Sequence, residues 1–107
     1  MSEQAQEQES FDSFAEFYPF YLSEHQDITC RRLHFVGSLS VLAVLSYSII
    51  TGKLALLFAL PLIGYGFAWI GHFVFEKNRP ATFKYPVYSF LGDWVMFKDI
   101  LLRKVRI

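Results

Sequence analysis

Three histidines and one glutamate carry the candidate chemistry of this chain: His25, His34, His72 and Glu76. His72 lies near the end of an apolar run, just before a polar knot, Glu76-Lys77-Asn78-Arg79-Pro80. An imidazole in such surroundings is costly unless something hydrogen-bonds or ligates it. Glu76 follows His72 by four residues, one helical turn along the same face. It can orient that imidazole, supply a carboxylate ligand, or simply pair at the surface with Lys77 or Arg79. Imidazole and carboxylate without thiolate suit a single non-haem Fe(II), Zn or Mn ion, and three histidines are too few for a diiron cluster. The single cysteine, Cys30, excludes an internal disulfide and a cysteine-cluster zinc site, and a cysteine at a helix start is ordinarily inert. Glycine-rich phosphate loops, Gly-x-Ser-x-Gly elbows and HExxH helices do not occur.

The elements that must position these side chains are apolar. Leu33–Ile50 and Leu54–Phe75 contain no Asp, Glu, Lys or Arg, and each is about the length of a bilayer-crossing helix. A soluble bundle would need a polar face on both, whereas only Ser38, Ser40, Ser46, Ser48 and the histidines interrupt them. Apolar residues make up 53% of a 107-residue chain, more than so short a chain can hide inside itself. The reading is an all-α integral membrane hairpin of two spans with flanking N- and C-terminal amphipathic helices. Residues 10–107 form its one domain, behind a disordered acidic tail over 1–9.

A hairpin sets the depth of each imidazole. Thr51-Gly52-Lys53 reads as the turn, with Gly52 as helix terminator. His34 precedes Gly52 by 18 residues and His72 follows it by 20; at ~1.5 Å per residue, both lie about 27–30 Å from the turn. His25 stands nine residues before His34, on the opposite side of a continuous helix, and reaches the others only if the Glu24–Asp27 connection folds back.

In the flanks, Ser10 is a candidate cap for a helix bearing Phe11, Phe14, Tyr18, Tyr21 and Leu22 at helical spacing, with a kink or break expected near Tyr18 because of Pro19. Asp27 or Thr29 caps the first span, and the second ends by Asn78 because Arg79 precedes a proline. Ala81–Pro86 reads as an extended crossing. Tyr88–Leu102 reads as an amphipathic helix whose apolar side carries Phe90, Leu91, Trp94, Val95, Leu101 and Leu102. Asp93, Lys98 and Asp99 argue against a full crossing there.

Net charge is zero but segregated. Every Lys and Arg lies at Arg31 or beyond, and the charged residues up to Cys30 are all Asp or Glu. Arg31 and Arg32 precede the first span, Lys77, Arg79 and Lys84 follow the second, and only Lys53 lies in the turn. Both termini are therefore expected in the cytoplasm, at the inner membrane of a bacterium or the endoplasmic reticulum of a eukaryote. The N-terminus does not resemble a cleavable signal. Basic residues beside apolar spans suit lipid headgroups or fatty carboxylates rather than nucleic acid, so Arg31, Arg32, Lys77 and Arg79 are candidate substrate-binding residues. So small a bundle is compatible with a homo-oligomer.

Four blocks carry a resemblance: FYPFYLSEH (Phe17–His25), CRRLHFVG (Cys30–Gly37), GYGFAWIGHFVFEKNRPATFKYP (Gly64–Pro86) and GDWVMFKD (Gly92–Asp99). They are similar to small membrane proteins typified by the fungal dioxygenase of phytosphingosine breakdown to odd-numbered fatty acids, over roughly Phe11 to Leu102. The resemblance implies Fe(II)-dependent α-oxidation, with dioxygen, of long-chain 2-hydroxy fatty acids to acids one carbon shorter. It further implies that the family's metal-binding histidines fall on His25, His34 and His72. Two other readings stand beside it. A non-catalytic lipid-binding module or partner subunit would use the histidines as interfacial anchors, and a zinc hydrolase would differ in its metal.

Overall fold

The computed structural model describes residues 11–107, and there the chain is all-helical. Helix α1 spans Phe14–Ser23, α2 Ile28–Thr51, α3 Ala59–Ile70 and α4 Pro86–Leu101. A 3-10 turn over Leu54–Phe58 leads into α3, and a π-helical segment over Gly71–Glu76 continues it. The expected acidic tail and the Ser10 cap lie outside the described residues.

Local chemistry explains most boundaries. Ser13 caps α1, its hydroxyl accepting from the Glu16 N–H, and Asp27 caps α2 through the Cys30 N–H. Gly52 ends α2 in the left-handed conformation, at φ 75°, which glycine adopts without steric cost. Pro86 occupies the first turn of α4, where its missing N–H is not needed. Two expectations are corrected. α1 runs unbroken through Pro19, whose ring sits on the exposed side of this short helix. Residues Ala81–Phe83 wind into a 3-10 turn rather than an extended crossing, closed by Phe83 and Lys84 N–H groups on Pro80 and Ala81 carbonyls.

The two long helical segments, Ile28–Thr51 and Leu54–Glu76, are long and apolar enough to cross a membrane. Little of either is covered by the rest of the chain; Ile50, Phe58 and Leu62 are each more than three-quarters exposed. The segments pair as a hairpin in which small residues permit close approach. A Cβ on Gly37 would come within 2.9 Å of Phe67 Cβ, and one on Gly71 within 3.0 Å of Cys30 Sγ.

The buried core sits at one end of the hairpin, where α1 and α4 pack: Phe17, Tyr21, Met96, Ile100 and Val105. Around it α1 presents a cluster of rings, with Phe11, Phe14, Phe20, Tyr85 and Tyr88 in edge or tilted contact with Phe17. Tyr18 donates to Asp99 Oδ2 (2.8 Å), and Tyr21 donates to Asp93 Oδ1. The face of α4 that packs inward is Ser89, Gly92, Met96, Asp99 and Ile100. Phe90, Leu91, Leu101 and Leu102 are exposed. The apolar side read from the sequence thus turns mostly outward, as it would toward lipid.

Gly92 is where α4 meets the Tyr21 ring, and a Cβ there would lie 2.7 Å from Tyr21 Cδ2. Gly92→Ala is expected to destabilise the protein by about 1–3 kcal/mol through overpacking. Gly66→Ala, where a Cβ meets nothing within 4 Å, is expected to be neutral or stabilising by up to about 1 kcal/mol. Thermal unfolding in detergent micelles, read by circular dichroism, measures both.

Candidate metal centre

Three elements deliver one imidazole each to a single buried point. His34 lies on the second turn of α2, His72 in the π-helical segment, and His25 in the connection after α1. All three are buried, at 1%, 6% and 2% exposure for His25, His34 and His72. Their ring centroids are 4.4–5.0 Å apart with planes near perpendicular. One ligand nitrogen from each lies within 4.8 Å of the others. The Glu24–Asp27 connection therefore folds back, as a three-histidine site requires.

What holds each ring also decides which nitrogen faces inward. His25 Nδ1 lies 2.6 Å from the Tyr21 carbonyl oxygen and His34 Nδ1 lies 3.0 Å from the Cys30 carbonyl oxygen. Carbonyl oxygens only accept, so both Nδ1 atoms carry the proton. His72 Nδ1 faces Asn78 Oδ1 at 2.8 Å. The Asn78 amide nitrogen donates to the Glu24 carbonyl at 3.0 Å and reaches Glu24 Oε1 at 3.4 Å, which fixes that amide with its oxygen toward His72. Asn78 also donates its backbone N–H to the His72 carbonyl, so it holds the residue at two points. The π-turn and the left-handed Lys77 (φ 61°) after it bring Asn78 back onto His72.

With every Nδ1 protonated, each neutral ring keeps its Nε2 lone pair. Those of His25 and His34 face each other at 3.2 Å. Two lone pairs so placed repel unless a cation stands between them. The separation lets both nitrogens reach one ion at the ordinary imidazole–metal distance of about 2.1 Å. The cavity bounded by the three rings, Tyr21, Ser89 and Asp93 measures about 20 Å³, enough for an ion or one water. The donor set, the oriented tautomers and the cavity size therefore fit a divalent metal held by three histidines.

Electrostatics favour the ligating form. Burial, reinforced by the charges His34 and His72 would carry, pushes His25 well below the ordinary imidazole range, so it is neutral at pH 7. Glu24 is raised by burial and then by the nearby Glu76 carboxylate. Asp93 is pushed up to about 7 by burial, against the opposing hydrogen bond from Tyr21.

The other sequence candidates have different settings. Glu76 stands outside the group of converging donors. Its oxygens accept from the backbone N–H groups of Gln26 (3.2 Å) and Asp27 (2.8 Å), pinning the connection that carries His25. Arg31 donates from Nε to the His25 carbonyl (2.6 Å) and from Nη1 to the Arg106 carbonyl (3.1 Å). Arg32 is exposed and reaches the Ile107 carbonyl at 3.4 Å. Lys77 and Arg79 are exposed, with Arg79 over the Phe83 ring. Sequence reasoning passed over Tyr21, Asn78, Ser89 and Asp93. The one legible signal was the polarity of the knot containing Asn78.

A second cavity of about 390 Å³ adjoins the triad and is almost wholly apolar, walled by Val41, Leu45, Leu60, Pro61, Phe90 and Trp94 among others. His34, Tyr65, Ala68 and Asp93 line both cavities.

A protein-family model described as 2-hydroxy-palmitic acid dioxygenase Mpo1-like matches residues 11–105. No curated protein and no solved structure matches the chain.

Two outcomes follow from this geometry. Asn78→Ala frees the His72 ring to rotate and is expected to weaken divalent-metal affinity about 10–100-fold, measured by competition with a chromophoric chelator. Unfolded, Asp93 titrates near the ordinary carboxylate value; folded, it titrates at about 7. Between these pH values the folded state holds a proton that the unfolded state has released, so metal-free stability falls as pH rises through that window. Asp93→Asn should flatten this slope in unfolding curves collected between pH 4 and 8.

Proposed function

We propose that this chain, which belongs to the Mpo1-like family, is a membrane-bound Fe(II)-dependent dioxygenase that oxidises long-chain 2-hydroxy fatty acids at the α-carbon. The observation that carries this reading is the trio of buried, converging histidines, one of which, His34, also lines the apolar cavity, supported by the family's description as a 2-hydroxy-palmitic acid dioxygenase. The overall change balances without a further reductant. A 2-hydroxy acid and dioxygen yield the acid one carbon shorter, carbon dioxide and water; the C1–C2 bond breaks, and the four electrons lost by the substrate reduce dioxygen.

When bound by His25, His34 and His72, Fe(II) would supply an electron donor toward dioxygen and about three further positions for substrate and dioxygen oxygens. The protein's own contributions are positional. The Nδ1–H groups, anchored on Tyr21, Cys30 and Asn78, keep the imidazoles neutral and their Nε2 atoms aimed at one point. Burial of all three rings excludes bulk water. The apolar cavity takes the acyl tail, and its wall from His34 to Leu45 runs about 16 Å along α2. Exposed Arg32, Lys77, Arg79 and Lys84 draw the carboxylate toward this end of the hairpin. Arg31 and Glu76 act as positioning residues for the connection bearing His25.

We read the two apolar segments as membrane spans, with the metal-binding end and both termini on the cytoplasmic side. Such a location gives a membrane-dissolved substrate access without transfer through water.

Anaerobic loading of the purified protein is expected to give stoichiometric iron and oxygen uptake dependent on a long-chain 2-hydroxy acid, with the one-carbon-shorter acid as product by mass spectrometry. His34→Ala and His72→Ala should each lose both properties. Full turnover in either variant would end the assignment, and a folded protein that never retains iron would favour a lipid-binding role.

A further inference from the structure

Helix α4 brings two polar side chains to the triad that metal ligation leaves unused. Ser89 and Asp93 are four residues apart, one turn along the same face, and both line the ion-sized cavity beside the three imidazoles. Ser89 is 4% exposed, and its hydroxyl has no hydrogen-bond partner among the described residues. An unmade hydrogen bond in so buried a place costs stability unless a ligand completes it. A packing role alone would be served by alanine. Asp93 is held in place because Tyr21 donates to its Oδ1 while the Tyr21 ring stacks on His25, centroids 4.0 Å apart. Among the residues lining both cavities, Asp93 alone supplies a carboxyl group.

The boundary between those cavities is where an amphiphile changes character. Its tail belongs among Leu45, Leu60 and Trp94, its polar end beside the histidines. Resting on the functional reading above, we infer that Asp93 and Ser89 read the head of the 2-hydroxy acid at this boundary. The Asp93 carboxyl accepts a hydrogen bond from the 2-hydroxyl, and the Ser89 hydroxyl donates to the substrate carboxylate. A plain fatty acid offers no hydroxyl to Asp93, so the pair selects the hydroxylated acid. Tyr21 is the positioning residue that holds Asp93 toward the boundary.

Binding can be measured without turnover. The full chain in detergent micelles is titrated anaerobically with 2-hydroxyhexadecanoate and with hexadecanoate at matched micellar mole fractions. Intrinsic fluorescence serves as the readout, since Trp69 and Trp94 line the two cavities. The unmodified protein is expected to prefer the 2-hydroxy acid by about tenfold or more, the usual scale for a hydrogen bond to a charged group. Asp93→Leu should abolish that preference with little change for hexadecanoate, and Asp93→Asn, which still offers an acceptor, should restore part of it. Ser89→Ala, which removes one atom and preserves the fold, should weaken both acids by a similar factor of about five to ten. If Asp93→Leu does not fold, Asp93→Ala carries the same test. An unchanged preference in the Asp93 variant overturns its role, and unchanged affinities in Ser89→Ala overturn the role of that hydroxyl. Failure of the unmodified protein to bind either acid would overturn the functional reading together with this one.

Discussion

Lone pairs from neutral imidazoles, fixed face to face in a dry pocket, repel one another. His25 and His34 present Nε2 atoms at 3.2 Å because the opposite nitrogen of each ring is committed to a carbonyl oxygen. Neither ring can relieve the contact by turning over, since that would leave the carbonyl facing a lone pair instead. A cation between them converts repulsion into ligation. The hydrogen bonds to Tyr21, Cys30 and Asn78 thus preorganise the centre, and the rest of the small scaffold serves to hold those oxygens in place.

Tyr21 shows how few residues that takes. Its carbonyl accepts from His25, its ring stacks on the same imidazole, its hydroxyl holds Asp93, and its ring edge rests on Gly92. One side chain therefore links α1 to α4 and sets both a candidate ligand and the polar wall opposite it. Asn78 does the corresponding work for His72, with Glu24 fixing its amide. The contacts of Tyr21 with Asp93 and Gly92, and of Asn78 with Glu24, cross between elements far apart in the chain, so the centre forms only when the elements dock.

The apolar surface has the character that hydrocarbon, rather than water, would cover. The buried core is small and confined to one end, whereas large apolar side chains cover the outside of the hairpin and of α4. In water such a surface would drive aggregation; in hydrocarbon it is the ordinary outer face of a membrane helix. This inversion explains why α4 deceives a reader who expects apolar residues to point inward. Its inward face carries Ser89, Gly92 and Asp99, chosen for close approach and hydrogen bonding, while Phe90 and Leu91 turn away.

The sequence by itself determined the two apolar spans, the Gly52 turn between them and the common depth of His34 and His72, and it narrowed the cap to Asp27 or Thr29. All of these follow from local composition and from the constant rise of a helix. It also carried the family resemblance, which the match over residues 11–105 bears out. Helical spacing left open whether His25 reaches the pair, and only the resemblance implied it; the tertiary structure supplies the fold-back, in which Glu76 accepts from backbone N–H groups about fifty residues away. The tautomers were equally out of reach, since the oxygens that set them come from backbone carbonyls and from the folded-back Asn78. Placing Ser89 and Asp93 beside the imidazoles required knowing which way α4 rotates, and that is fixed by a glycine meeting a tyrosine ring rather than by any periodicity along the chain.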